Sequence, residues 1–143
     1  MDKLKTIGDK VFLGGTCAGS TWRDELIPKL EIEYFNPVVD DWTEAAQEEE
    51  LKQREECSHC LYVLTPLMQG VYSVAEVVDD SNKRPDRVLL CILQTDIDEY
   101  GDKAVWSKQN AKSLKMLEKM VEDNGAKVAR DLNEVAQILN DAE

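Results

Sequence analysis

No stretch of the 143-residue sequence approaches the roughly 20 apolar residues that a membrane span requires. The start, MDKLKTIGDK, lacks the apolar core of a secretory signal, so a cytoplasmic setting is expected. Positive charge is scarce as well. Against 29 Asp and Glu stand 17 Lys and Arg, giving a formal net charge of −12, and a field of that sign repels phosphate backbones and anionic lipid. Nucleic acid polymers and membranes are therefore not expected as partners. The four cysteines, Cys17, Cys57, Cys60 and Cys91, read as reduced thiols in a reducing compartment. Cys57-Ser58-His59-Cys60 has the spacing of a redox pair or half a zinc site. A second ligand pair is missing and Cys60 opens an apolar run, so the cluster, with the only histidine, reads as structural and no metal site is expected. Internal repeats and low-complexity segments are also absent, and the length suits one domain over residues 1–143.

What is present is organised around Leu61 to Asp80, LYVLTPLMQGVYSVAEVVDD. An apolar strand reaches Pro66, a loop passes Gly70, and a helical pattern follows with Glu76 set among small and branched apolar residues. Open parallel sheets bind ligands beyond the carboxyl ends of their strands, which is where Glu76 falls. Two readings stay open. Ser73-Val74-Ala75-Glu76 fits a capping box, with each side chain satisfying the other's backbone N–H. Alternatively, a carboxylate in the first turn is kept ionised by the helix dipole, as a nucleophile needs.

The rest of the chain supplies neighbours for that helix. Val11 to Gly15 is a buried first strand, and Gly14 to Ser20 forms either a tight turn or a cradle for an anion or sugar hydroxyl at the start of a helix capped by Ser20 or Thr21. That loop matches neither G-x-G-x-x-G nor a P-loop. Pro28 closes the helix. Ile32 to Val39 is a second, edge strand ending near Pro37, followed at the same sheet edge by Asp40-Asp41-Trp42. Asp41 or Thr43 caps an acidic helix, Glu44 to Cys57, whose charge reads as a solvated face. Arg87 to Leu93 is a strand buried on both faces, and Gln94 to Ala104 a long loop of the kind that serves as a lid. Trp106 to Asn124 is a helix burying Leu114, Leu117, Met120 and Val121, stopped by Asn124-Gly125. Lys127 to Arg130 makes a fifth strand. Asp131 and Glu134 box the last helix, which buries Leu132, Val135, Ala136 and Leu139. The alternation predicts an α/β fold, a single doubly wound five-stranded parallel sheet of flavodoxin/Rossmann-like order 2-1-3-4-5. Its switch point gathers the Gly14–Ser20 loop, Asp40 and Glu76.

With these residues placed, the chain resembles the nucleoside 2-deoxyribosyltransferase family, in particular its compact, divergent branch. The similarity runs from about Val11 to Leu93 through VFLGGT, Trp22-Arg23, YFNPVVDDW and GVYSVAEVVDD. In the family's D-x-G-T-x-x-E signature, Glu76 matches the catalytic glutamate and Ser73 the hydroxyl residue. Tyr72 takes the glycine position and Gly70 that of the base-holding aspartate, for which Asp40, or Glu50 with a one-residue offset, is the substitute. The resemblance implies retaining glycosyl transfer. Glu76 attacks C1′ of a 2′-deoxyribonucleoside and Asp40 assists the departing base, with Gly14, Gly15, Thr16, Trp22, Asp41, Gly70 and Ser73 binding the substrate. It implies no metal or organic cofactor, a small nucleoside or nucleotide as ligand, and a homo-oligomer. Two alternatives accompany it: a deoxynucleoside monophosphate N-glycosidase using Ser20, Thr21 and Arg23 for phosphate, and a non-catalytic nucleotide-binding module.

Overall fold

A computed structural model describes residues 9–17 and 19–141. Met1 to Gly8 and Ala18 of the glycine loop lie outside the described residues. The elements run β1 (Lys10–Gly15), α1 (Trp22–Leu26), β2 (Glu33–Phe35), α2 (Glu44–Glu56), β3 (His59–Leu64), α3 (Tyr72–Lys83), β4 (Val88–Ile92), β5 (Thr95–Ile97), β6 (Lys103–Val105), α4 (Lys108–Asp123), β7 (Lys127–Ala129) and α5 (Leu132–Asn140). The main sheet is five-stranded and parallel in the order β2-β1-β3-β4-β7. Counting only its own strands, that is the predicted 2-1-3-4-5.

Why the sheet is covered twice is visible in strand alternation. In β3, Tyr62 and Leu64 face one core with Phe12, Val77, Leu90, Leu114, Leu117 and Val121. Leu61 and Val63 face the other, with Leu13, Trp22, Leu26, Val135 and Leu139. Period-two alternation of apolar residues on both faces leaves no polar side, so helices must cover each. No helix among the described residues is long and apolar enough to cross a membrane.

Several local expectations need correction. Residues 95–105 are not a structureless lid loop, because β5 and β6 pair antiparallel as a hairpin, with Thr95 opposite Val105. Ser20 Oγ donates to Asp96 Oδ2 at 2.6 Å and ties that hairpin to the first loop. β2 is only three residues long, since Pro37 has no N–H for the ladder and Asn36 Oδ1 accepts from the N–H of Val38. Met120 is 52% exposed, while Leu114, Leu117 and Val121 form the buried stripe of α4. Thr43, not Asp41, caps α2 through its Oγ1, which accepts from Ala46 N at 3.1 Å. Asp131 caps α5 as expected, accepting from Glu134 N at 2.8 Å.

The Cys57–Cys60 segment is framework. Cys57 and Cys60 are buried, and burial pushes their thiols up to about 11 and about 12. Ser58 Oγ accepts from Lys10 N and donates to Lys10 O, which pins the start of β3 to β1.

Candidate functional site

β1 and β3 come together most tightly at the end of β1. An added Cβ on Gly14 would stand 2.7 Å from the Tyr62 ring, and one on Gly15 would stand 2.0 Å from Val63 O, at a backbone φ of +120°. Both glycines are therefore fixed by crowding against β3. The N–H of Thr16 continues the contact to Val63 O at 2.9 Å, and Thr16 Oγ1 accepts from Thr65 N at 2.9 Å.

Beyond this junction lies a cavity of about 290 Å³. One wall is apolar: Phe12, Pro37, Val38, Val39 and Trp42. Gly14, Gly15, Cys17 and Arg23 form the strand edge, and Glu50, Tyr72, Ser73 and Glu76 come from α2 and α3. A second cavity of about 290 Å³ shares Gly15, Cys17, Tyr72 and Ser73 with the first and continues to Thr16, Met68, Gln69 and Gly70. Trp42 and Tyr72 border the site with exposed rings, which suits the flat face of an aromatic ligand.

At the floor are two acids. Glu76 is buried, and half-buried Glu50 lines the same cavity close enough to couple to it electrostatically. Burial first, then the charge of Glu50, push the Glu76 carboxyl up to about 7, against a smaller opposing pull from Arg54. Burial also raises Glu50, whereas the Glu76 side chain and the charges of Arg54 and Arg23 lower it. Both carboxyls are thus shifted toward the protonated form, Glu76 the more strongly, and the two titrate as a coupled pair. Such a pair can supply one proton and one anionic oxygen from the same spot.

The expected capping box is absent. α3 begins at Tyr72 with Val71 at its N-cap and no capping side chain, so Ser73 already lies inside the helix. Glu76 is past the first turn, where the helix dipole has little hold, and the expectation of an anion stabilised by that dipole gives way to an acid raised by burial. Behind it, Arg54 donates from Nη1 to Glu76 Oε2 at 3.4 Å and from Nε and Nη2 to Asp80 at 3.1 Å each. Burial works to lower the Arg54 guanidinium, but Asp80, Tyr62 and Glu76 outweigh it and the net shift is upward.

Of the other sequence candidates, Gly14, Gly15 and Ser73 line the first cavity, and Thr16 and Gly70 the second. Asp40 and Asp41 line neither, and both are exposed. Trp22 does not face the site: it is buried in the core, with Nε1 donating to Thr16 O at 2.8 Å. Arg23 reaches the cavity, but most of its N–H groups donate to the carbonyls of Leu13, Gly15 and Thr16. Burial lowers its pKa. Sequence reasoning missed Arg54, Trp42 and Tyr72 as site residues. The usable signal was spacing, since Glu50 and Arg54 are four apart, as are Glu76 and Asp80, so two helices each present a matched pair.

A family model described as "nucleoside 2-deoxyribosyltransferase like" matches residues 8–95, the span that contains β1 to β4 and every residue of the carboxyl pair and its arginine. No curated protein and no solved structure matches the chain.

Proposed function

Because the chain belongs to the nucleoside 2-deoxyribosyltransferase-like family, we propose that it cleaves or exchanges the N-glycosidic bond of 2′-deoxyribonucleosides at the Glu50–Glu76 pair. The observation that carries this reading is the meeting of two carboxyls, buried Glu76 and half-buried Glu50, in one cavity bordered by Phe12, Trp42 and Tyr72. In the reactive arrangement Glu76 is ionised and Glu50 is protonated. A Glu76 carboxylate oxygen attacks C1′ through an oxocarbenium-like transition state, the C1′–N bond breaks, and its electron pair leaves with the base. Glu50 delivers its proton to that base. A second base then attacks C1′, gives its proton to the Glu50 carboxylate, and releases the Glu76 ester. Water in place of the second base makes the reaction a hydrolysis. The second acid is thus assigned to Glu50 in place of Asp40, which lies off the cavity.

Nucleosides fit better than nucleotides. The only charged residues lining the two cavities, among the described residues, are Arg23, Glu50 and Glu76, and most N–H groups of Arg23 donate to main-chain carbonyls. Ser20, part of the phosphate site the hydrolase alternative needs, is bound to Asp96. A dianionic phosphate would enter a strongly negative protein with Arg23 as its one cation in the lining, most of whose N–H groups already donate to main-chain carbonyls. The exposed Val38, Val39, Trp42, Val71 and Tyr72 near the mouth support closure of the site by a second copy of the chain.

The test is incubation with a panel of deoxynucleosides and their 5′-monophosphates, with and without a free acceptor base, followed by chromatography. Base release or exchange from nucleosides in preference to monophosphates is expected. An enzyme active only on monophosphates would contradict the substrate assignment, and inactivity across the panel would contradict the glycosyl chemistry.

A further inference from the structure

α2 is acidic and solvated along most of its length, yet its one buried side chain is a cation, Arg54. Two pairs of residues meet where α2 packs on α3. Glu50 and Arg54 stand one turn apart on α2, and Glu76 and Asp80 one turn apart on α3. Glu50 and Glu76 line the same cavity and Arg54 bonds Asp80, while a single diagonal contact runs from Arg54 Nη1 to Glu76 Oε2 at 3.4 Å.

We propose that Arg54 is a positioning residue that draws the shared proton from Glu76 onto Glu50, so that Glu76 enters the reaction as the ionised nucleophile and Glu50 as the acid. This rests on the carboxyl-pair reading of the function. The proton step needs no further reactant: the O–H bond of Glu76 breaks, its electron pair stays on Glu76, and an O–H bond forms on Glu50.

The geometry separates this role from simple packing. Arg54 is not the sole partner of Asp80, because Arg84 Nη2 reaches Asp80 Oδ1 at 2.6 Å and the Tyr62 hydroxyl donates to Asp80 Oδ2. Asp80 and Asp79 instead hold the guanidinium fork, Asp79 accepting from Nη2 at 3.0 Å, and leave Nη1 aimed at Glu76. A contact of 3.4 Å is long for a charge-assisted hydrogen bond, and it is one that strengthens when Glu76 ionises.

The groups facing Glu76 are Glu50 and Arg54 from α2, Asp80 from its own helix and, behind Asp80, Arg84 and Tyr62 of β3. The charges of Arg54 and Arg23 also act on Glu50 and pull the proton the other way, but the hydrogen bond that Arg54 makes to an acid of this pair goes to Glu76, and most N–H groups of Arg23 donate to main-chain carbonyls. Arg54 is the one cation with a hydrogen bond to either acid among the described residues.

The test follows the Glu76 carboxyl by ¹³C NMR in protein labelled at Glu side chains, with Glu76→Gln to assign the resonance, alongside the pH profile of base release. In Arg54→Gln the apparent pKa of Glu76 should rise by about one unit or more, as loss of an opposite charge within hydrogen-bond reach requires. The kcat/KM profile should move to higher pH with it, and Arg54→Lys should return both most of the way. If Arg54→Gln fails to fold because Asp80 loses a partner, Arg54→Gln with Asp80→Asn removes both charges, and Glu76 should still rise by about half a unit, the nearer charge having the larger effect. A Glu76 titration unchanged in the folded variant overturns the proposal, even if activity falls. The NMR titration decides the role of Arg54 even if the wild-type protein releases no base, a result that would count against the glycosyl reading alone.

Discussion

Glu76 works against the fold at the pH where it is to be used. Its carboxyl has an ordinary value of 4.5 and a folded value of about 7, so between those values the folded chain binds more protons than the unfolded one. Stability from this group is complete below about 4.5 and is lost as pH rises through about 7, with a total on the order of 3 kcal/mol. Glu76→Gln removes that dependence. The variant should melt higher than wild type at about pH 8, with the gap closing toward about pH 5, and parallel melting curves across that range would refute the buried-acid reading. Activity should behave differently. Glu50→Gln should lower base release by roughly 10²–10⁴-fold, the range for a lost general acid, whereas Asp40→Asn should leave it within about twofold. Kinetics on the two variants check this assignment. At this scale Glu76 was legible through its signature, and Glu50 only as an offset match. Arg54 was hidden because a helix rich in Glu and Gln has no apolar stripe to reveal which side faces inward.

Elements built on apolar runs were legible because burial on both faces leaves an unmistakable pattern, as in VFLGG and RVLLCIL. The hairpin was not. β5 and β6 have three residues each, with mixed polarity, and only the Ser20–Asp96 bond and the antiparallel ladder distinguish them from a loop. Helix α2 is the other exception, since it is docked through Arg54 and ion pairs where α4 and α5 are docked through apolar stripes. Its amides should therefore exchange with deuterium well before those of α4 and α5, and equal protection would mean that α2 is held by more than its polar contacts. The sheet itself should fail first at the β1–β3 junction. Gly15→Ala places a Cβ 2.0 Å from Val63 O at an unfavourable φ, and it should cost roughly 3 kcal/mol or more, read from denaturant unfolding.

Taken as a whole, the molecule directs a negative surface at solvent and keeps its few buried cations under carbonyls and carboxylates. Random DNA or RNA oligonucleotides should show no salt-sensitive binding, a result that fluorescence anisotropy can check. The claim on which the account turns is that Glu76 itself takes the sugar, and the most direct measurement is mass spectrometry of the protein quenched during turnover of a deoxynucleoside. A deoxyribosyl ester mapped to the peptide carrying Glu76, present in wild type and missing from Glu76→Gln, is the predicted result. Base release with no adduct in wild type, or undiminished turnover by Glu76→Gln, would contradict it.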